Sequence, residues 1–420
     1  MTQALRINSQ RLQDAIDKLA TFGASQGEGI TRGSFSSPYE AARAWLKEEA
    51  CRAGLHAYDD AMGNFFVRVG PSTGPCVMSG SHIDTVPGGG PLDGAYGVLA
   101  AIEVALSLTD AGVDLPIAFE AAAFVEEEGR FYDLLGSKAV AGQLSWEEIE
   151  GARDSDGIRL VDAMADCGFP ADRFAEARRL PGMVAAYIEL HIEQGPVLES
   201  KGLPIGIVDE ITGGRQVEYR FTGETGHAGT VPMDLRRDAF TGALEFMAEA
   251  RKVVLERGTP DRVRLTFGVV EAGPGFPTRI PSDVRVIQEI RDFEPDLLDW
   301  LTAESIRIAE RAAHANRLGL EHRVLCAAVP AKMDEAVLVE ARDAADALGA
   351  ASIDMPSGAG HDAQVIATIA PSGMIFVPSR GGVSHRHDEW TDFALLETGA
   401  NVLYQTVLRL LARPYPLGAR

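Results

Sequence analysis

Five side chains of metal-ligating type fall in four short segments: His82 and Asp93 in GSHIDTVPGGGPLDG, Glu128 in EEEGRF, His191 in ELHIEQGP and His385 in GGVSHRHDE. Imidazole and carboxylate donors suit zinc, manganese, cobalt or nickel. A carboxylate can bridge two ions, so these residues suffice for a pair of divalent cations about 3.5–4 Å apart, an arrangement that activates water for hydrolysis. Glu127 beside Glu128 then reads as a carboxylate that handles protons next to one that binds metal. Each residue also has a plainer reading. His82 can end a strand before a polar loop, and His191 and His385 can be histidines satisfied by the core or by a loop. The run Glu126, Glu127, Glu128 can be a solvated acidic loop.

Position favours the chemical reading. Each segment directly follows an apolar, strand-like run. In open α/β sheets the site lies beyond the carboxyl ends of the strands, so distant segments can converge on one sheet edge. Three adjacent carboxylates repel one another unless cations compensate. His82 and Asp84 are two apart, and in an extended segment such residues share a face. The Asp84 carboxylate is therefore expected to accept a hydrogen bond from the far ring nitrogen of His82 and fix its tautomer.

Other segments offer substrate contacts. GETGHAGTVPMDLRRDA places His227 in a Gly-rich turn, as a donor to an oxyanion or as an ordinary turn residue. Arg291 ends a strand, and either grips a carboxylate in bidentate fashion or forms a surface ion pair. In SGAGHDA, Gly358, Ala359 and Gly360 either bring backbone N–H groups to a substrate or lead into a helix beginning near Asp362.

The elements that must position these residues follow from periodicity. Apolar runs at 65–69, 76–79, 117–125, 184–190 and 374–377 read as strands, and 38–53 and 97–108 as helices. Residues 1–20 read as an amphipathic helix. The alternation favours an α/β fold. The middle of the chain runs strand 216–222, helix 237–257, strands 263–270 and 284–291, helix 295–315, strand 321–328. That β-α-β-β-α-β order is ferredoxin-like. A second domain at 212–329 is therefore expected to interrupt a first domain made of 1–211 and 330–420. A chain of 420 residues, 46% hydrophobic, is long enough for both.

A net charge of −22 argues against binding nucleic acid or anionic membranes. An anionic substrate would need locally positive groups, such as metal ions and arginines. Cys51, Cys76, Cys167 and Cys326 form no C-x-x-C pair, which disfavours a structural zinc site or a disulfide framework. No apolar run reaches membrane-spanning length and the N-terminus lacks a signal-peptide core, so the cytoplasm is the expected compartment.

The segments GSHIDTVPGGGPLDG, EEEGRF, HIEQGPVLE, GHAGTVPMDLRRDA, SGAGHDA and GVSH, in this order, resemble the zinc-dependent amidase, hydantoinase and carbamoylase family. That family includes N-carbamoyl-L-amino-acid hydrolases, metal-dependent β-ureidopropionases and allantoate amidohydrolases. The resemblance runs from about Arg32 to Leu411. It implies a mixed-sheet catalytic domain holding two divalent ions (zinc, or manganese, cobalt or nickel), and an inserted ferredoxin-like lid that also makes a homodimer. It assigns His82, Asp93, Glu128, His191 and His385 as ligands, with Asp93 bridging. Glu127 becomes the general base, with a one-residue ambiguity toward Glu126, and Asp84 joins the catalytic set. His227 would reach the partner subunit's site, and Gln194 and Arg291 would hold a substrate carboxylate. The expected reaction is hydrolysis of a linear amide or ureido C–N bond in a small carboxylated substrate. An N-acyl-amino-acid deacylase or dipeptidase on the same scaffold is the alternative, and a catalytically silent binding protein the alternative of another class. Thr278 stands where the family has an asparagine, and the loop before Gly136 is short, so the substrate's side chain stays open.

Overall fold

The computed structural model describes residues 5–259 and 262–417. The chain divides into two compact units, Met1–Asp209 with Lys332–Arg420, and Glu210–Ala331. The fold is α/β with a mixed central sheet and a separate antiparallel one. The first four residues of the expected N-terminal helix, and the last three of the chain, lie outside the described residues. The helix itself starts at Ser9, where the Asn8 side chain accepts the Arg11 N–H. An acceptor there satisfies an amide that helix geometry leaves unpaired.

The first unit is built on a nine-stranded sheet. Its centre is four parallel strands in the spatial order Ser372–Val377, Val184–Ile192, Cys76–His82, Ala118–Phe124. Parallel strands covered on both faces are apolar throughout. The run AFEAAAF is buried at every position and apolar except for Glu120, which pairs with Arg68 at 2.8 Å. Antiparallel strands flank this core: Phe65–Val69 and His56–Asp59 on one side, Ile205–Ile211 on the other. The helices Ala95–Asp110 and Phe393–Leu411 pack on the central strands. The strand expected at 76–79 extends to His82, and the helix expected at 97–108 spans Ala95–Asp110. Both extensions bring regular structure up to candidate ligands.

The second unit is a four-stranded antiparallel sheet with the order Arg264–Gly273, Asp283–Asp292, Gly213–Thr222, Gly319–Ala328. Helices Ala239–Arg257 and Pro295–Ala315 cover one face. Val217, Tyr219, Phe221, Phe246, Val284, Val286 and Ile308 form the core beneath them. Strict alternation of buried and half-buried residues along Asp283–Asp292 is the signature of a sheet covered on one side. The open face carries ion pairs, Arg220 with Asp283 at 2.7 Å and Arg291 with Glu289 at 3.0 Å. Among the described residues, no helix is long and apolar enough to cross a membrane.

Candidate metal centre

Because the four central strands run parallel, their carboxyl ends share one edge, and the candidate ligands leave from that edge. His82 is the last residue of its strand, and His191 is the penultimate residue of Val184–Ile192. Glu127 and Glu128 follow the strand that ends at Phe124, and His385 lies on the loop after Val377. Asp93 sits in the turn before the helix Ala95–Asp110.

Asp93 is the hub. Its Oδ1 lies 3.1 Å from His191 Nε2 and 3.8 Å from His82 Nε2, while its Oδ2 lies 3.2 Å from His385 Nε2. Glu128 Oε2 is 3.6 Å from His385 Nε2, and Glu127 Oε2 is 3.6 Å from His82 Nε2. Three overlapping groups could each hold a cation: His82, Asp93 and His191; Asp93, Glu128 and His385; and His82, Glu127 and Glu128. The two oxygens of Asp93 thus face different sets of donors.

The rings of His82 and His191 are oriented from behind. His82 Nδ1 is 3.0 Å from the Asp84 carbonyl oxygen, and His191 Nδ1 is 2.8 Å from the Ile192 carbonyl oxygen. A carbonyl can only accept, so Nδ1 carries a hydrogen in both rings, and His191 Nε2 accepts the Gly94 N–H at 3.0 Å. The Asp84 carboxylate does not serve His82 as expected. The chain leaves the strand after His82, so the shared-face rule ends one residue before it would reach Asp84. The carboxylate turns instead to the third segment and accepts the Glu128 N–H at 3.0 Å and the Glu127 N–H at 3.4 Å. Asp84 therefore joins two ligand-bearing segments, through its carbonyl on one side and its carboxylate on the other.

The pocket is short of positive charge. Burial, reinforced by Asp93, pushes the Glu128 carboxyl up to about 8. Burial, with Glu128 and Asp362 close by, pushes Glu127 well above the usual carboxylate range. Burial opposes protonation of His191, but the Asp93 carboxylate prevails and raises the ring to about 9. The same carboxylate raises His385 to about 9. Glu128 Oε1 is buried without a hydrogen-bond partner. Three imidazoles, carboxylates and an unpartnered buried oxygen make a donor set that fits divalent cations.

Glu126 is separated from this group by its backbone. Its φ of +63° turns the side chain aside, and its carboxylate accepts the N–H groups of Phe131 and Tyr132. Burial, then Asp84, brings it to about 7. The geometry of the acidic run therefore points to Glu127, not Glu126, as the free carboxylate beside the ligands.

The expected substrate contacts are distributed differently. Gln194 Nε2 donates to Asp93 Oδ2 at 2.9 Å and to Ser384 Oγ at 3.2 Å. Both contacts use its amide N–H2 group, and its Oε1 is buried and unpartnered, able to accept an N–H. The segment at Gly358, Ala359 and Gly360 forms a turn around Ser357 Oγ, which takes the Ala359 N–H at 3.2 Å. A short helix follows at Asp362–Ile366, with His361 at its N-cap and no side-chain capping bond. His227 is exposed in the second unit, and its Nδ1 accepts the Gly229 N–H at 3.0 Å. That bond leaves the hydrogen of the neutral ring on Nε2, pointing outward. Arg291 lies half-buried on the open sheet face in its ion pair with Glu289.

Three further residues stand at this edge, of which sequence reasoning passed over Ser384 and Glu389 and gave His361 no role beyond its place after the glycines of SGAGHDA. His361 is buried against His191, with ring centroids 4.7 Å apart. Ser384 and Glu389 flank His385 and reach the Asp93 turn. Their place in the same segment as His385 was the available signal.

The chain matches the family model described as peptidase family M20/M25/M40 over residues 78–409. It is 38% identical to an N-carbamoyl-L-amino acid amidohydrolase of Geobacillus stearothermophilus, covering 96% of this chain and 99% of that protein. It is 34% identical to an allantoate amidohydrolase of Bacillus subtilis strain 168, covering 95% and 97%. A crystal structure of an amidase of the hydantoinase/carbamoylase family from Burkholderia vietnamiensis superposes with a TM-score of 0.88 at 32% identity, covering 99% of this chain and all of that one. The matched span takes in every candidate ligand from His82 to His385, and the chain belongs to peptidase family M20/M25/M40.

Proposed function

We propose that this protein is a metal-dependent amidohydrolase that cleaves a linear C–N bond in a small carboxylated ureido substrate, of the N-carbamoyl-L-amino-acid or allantoate kind. The observation that carries the reading is Asp93, whose two oxygens approach His82 and His191 on one side and His385 on the other. The reading is supported by the two amidohydrolases to which the chain is similar over nearly its full length. We assign two divalent ions to the site, zinc or one of manganese, cobalt and nickel, with His82, Asp93, Glu128, His191 and His385 as ligands and Asp93 shared.

Bound there, such ions supply a water acidic enough to lose a proton near neutral pH. Glu127, whose carboxylate shares the pocket wall with Glu128 and His82, would act as the general base, holding a proton on its carboxylate and handing it to the leaving nitrogen. Asp84 keeps the Glu127–Glu128 backbone and the His82 ring in register through its two kinds of contact. His227 presents an Nε2–H suited to a carbonyl oxygen as it gains negative charge. Arg291 supplies the fork for the substrate carboxylate. Gln194 Oε1, the one open acceptor on that side chain, suits an N–H of the ureido group. With a carbamoyl substrate the products are an amino acid and a carbamate that decays to carbon dioxide and ammonia.

The proposal includes a homodimer through the second unit. The helix Ala239–Arg257 exposes Phe240 and Leu244 in adjacent turns, and exposed apolar rows suit burial against a second copy. It also includes the cytoplasm, which suits a chain with four free cysteines.

The test is ammonia release by metal-stripped and metal-reloaded enzyme from N-carbamoyl-L-amino acids, N-carbamoyl-β-alanine and allantoate. An N-acetyl amino acid and a dipeptide, scored by free amine, complete the panel. Metal-dependent release from a ureido substrate supports the reading. Activity confined to the acetylated or peptide substrate moves the protein to the deacylase or dipeptidase alternative. In the same assay, His227→Ala is expected to lower kcat by about 10²–10³, the worth of one oxyanion donor, with metal content unchanged. An unaltered kcat would return His227 to an ordinary turn residue.

A further inference from the structure

His385 differs from the other candidate ligands in how it is supported. Its side chain is 51% exposed, whereas His82 and His191 are almost fully buried. It sits at φ +57° on a loop with no regular strand or α-helix of its own. Something other than packing must keep its ring near Asp93 and Glu128.

Glu389, four residues on, is placed to do so. It is 2% exposed. Its Oε1 accepts the backbone N–H of Leu92 at 3.1 Å and of Asp93 at 3.0 Å. Its Oε2 accepts the Ser384 hydroxyl at 3.0 Å, and that hydroxyl also lies 3.2 Å from Asp93 Oδ2. One carboxylate thus clamps the turn that carries Asp93 to the loop that carries His385. The fit is tight, because a Cβ at Gly90 would come within 2.4 Å of Glu389. Buried backbone N–H groups are costly to leave unpaired, so the clamp is specific to an acceptor of this reach.

We infer that Glu389 is a positioning residue that fastens the His385 loop to the Asp93 turn and thereby sets the cation affinity of the Asp93–Glu128–His385 position. The inference rests on the two-ion reading above. It separates reach from charge. In Glu389→Gln the amide oxygen still accepts both backbone N–H groups and the amide nitrogen can donate to Ser384 Oγ, while the negative charge is gone. In Glu389→Asp the charge stays, but the side chain is one methylene shorter and cannot span both contacts.

The experiment is titration of the metal-free full chain with zinc alone, followed by calorimetry, and with cobalt, followed by its visible absorption. Circular dichroism checks the fold. For wild type two uptake steps are expected. For Glu389→Asp the second step, assigned to the position whose ligand His385 is the exposed one, should weaken by about 10–100-fold, the usual cost of losing a contact that orients a ligand, and by more than the first step does. Glu389→Gln should restore the second step and its cobalt spectrum. Equal titrations of Glu389→Asp and wild type overturn the inference, as does a second step lost in Glu389→Gln but kept in Glu389→Asp, which would make charge the cause. Uptake of a single ion by wild type overturns the two-ion reading and the inference with it.

Discussion

Glu127→Gln is expected to fold, take up metal as wild type does, and lose about 10²–10⁴ in kcat, the range for removing a positioned general base. Glutamine matches glutamate in size, so packing around the site is kept. The change also removes one of the carboxylates that repel each other there, since Glu127 is pushed up by burial and then by Glu128 and Asp362. The fold therefore has no electrostatic reason to suffer. What is lost is the ability to take a proton, because an amide oxygen 3.6 Å from His82 Nε2, where Glu127 Oε2 now lies, is not a base. Steady-state kinetics beside metal analysis decides the matter. Near-normal turnover at full metal content would remove Glu127 from the mechanism. Metal loss would make it a ligand, as its grouping with His82 and Glu128 allows.

Gly94→Ala should disable the site by shape alone. Gly94 has φ +61°, and a Cβ there would lie 2.3 Å from His82 Nε2 and within 2.5 Å of two ring carbons. No side chain can occupy that space with the ring in place. The ring must turn and give up its Nδ1 contact to the Asp84 carbonyl oxygen. At φ +61° and ψ −49° the backbone lies outside the regions open to alanine, a strain of about 1–3 kcal/mol, which an ordinary domain survives. Zinc affinity at the position served by His82 is expected to fall by about 10–100-fold or more, the loss seen when the support of a ligand is disturbed, and activity with it. Gly112→Ala is the control. Gly112 has φ +59° with nothing within 4 Å of its added Cβ, so it tests a positive-φ substitution without the collision. Equal metal uptake by the two variants would show that the ring can move aside freely.

The architecture was legible because apolar runs of the right length mark buried strands, and the chemistry-bearing segments follow those runs without a break. His82, Asp93, Glu128, His191 and His385 could be picked out on that basis, and the structure brings their side chains together. What escaped was governed by single backbone angles. The ambiguity between Glu126 and Glu127 turns on a positive φ at Glu126, which no periodicity encodes. Asp84 meets the far ring nitrogen of His82 through its carbonyl oxygen, with the carboxylate at 3.7 Å, because the strand stops at His82 and the face rule stops with it. The aim of the Gln194 amide at Asp93 likewise goes with a positive φ of its own. Glu389 was missed because its role consists of contacts to Leu92 and Asp93, almost three hundred residues away in the chain.

The order of strands in the large sheet has a consequence for how the chain is made. The strand Ser372–Val377 lies between Val184–Ile192 and Ile205–Ile211 and bonds to both, yet it is the last of the sheet to be synthesised. Until it emerges from the ribosome, two neighbouring strands present unpaired edges, and such edges invite pairing with other chains. The residues of the second unit, by contrast, form an uninterrupted stretch and can fold while the large sheet is still open. A chain halted before Ser372 should therefore be the form most dependent on chaperones, and released truncations ending before Ser372 or after Val377 would reveal it as a sharp drop in aggregation once that strand slots into the gap.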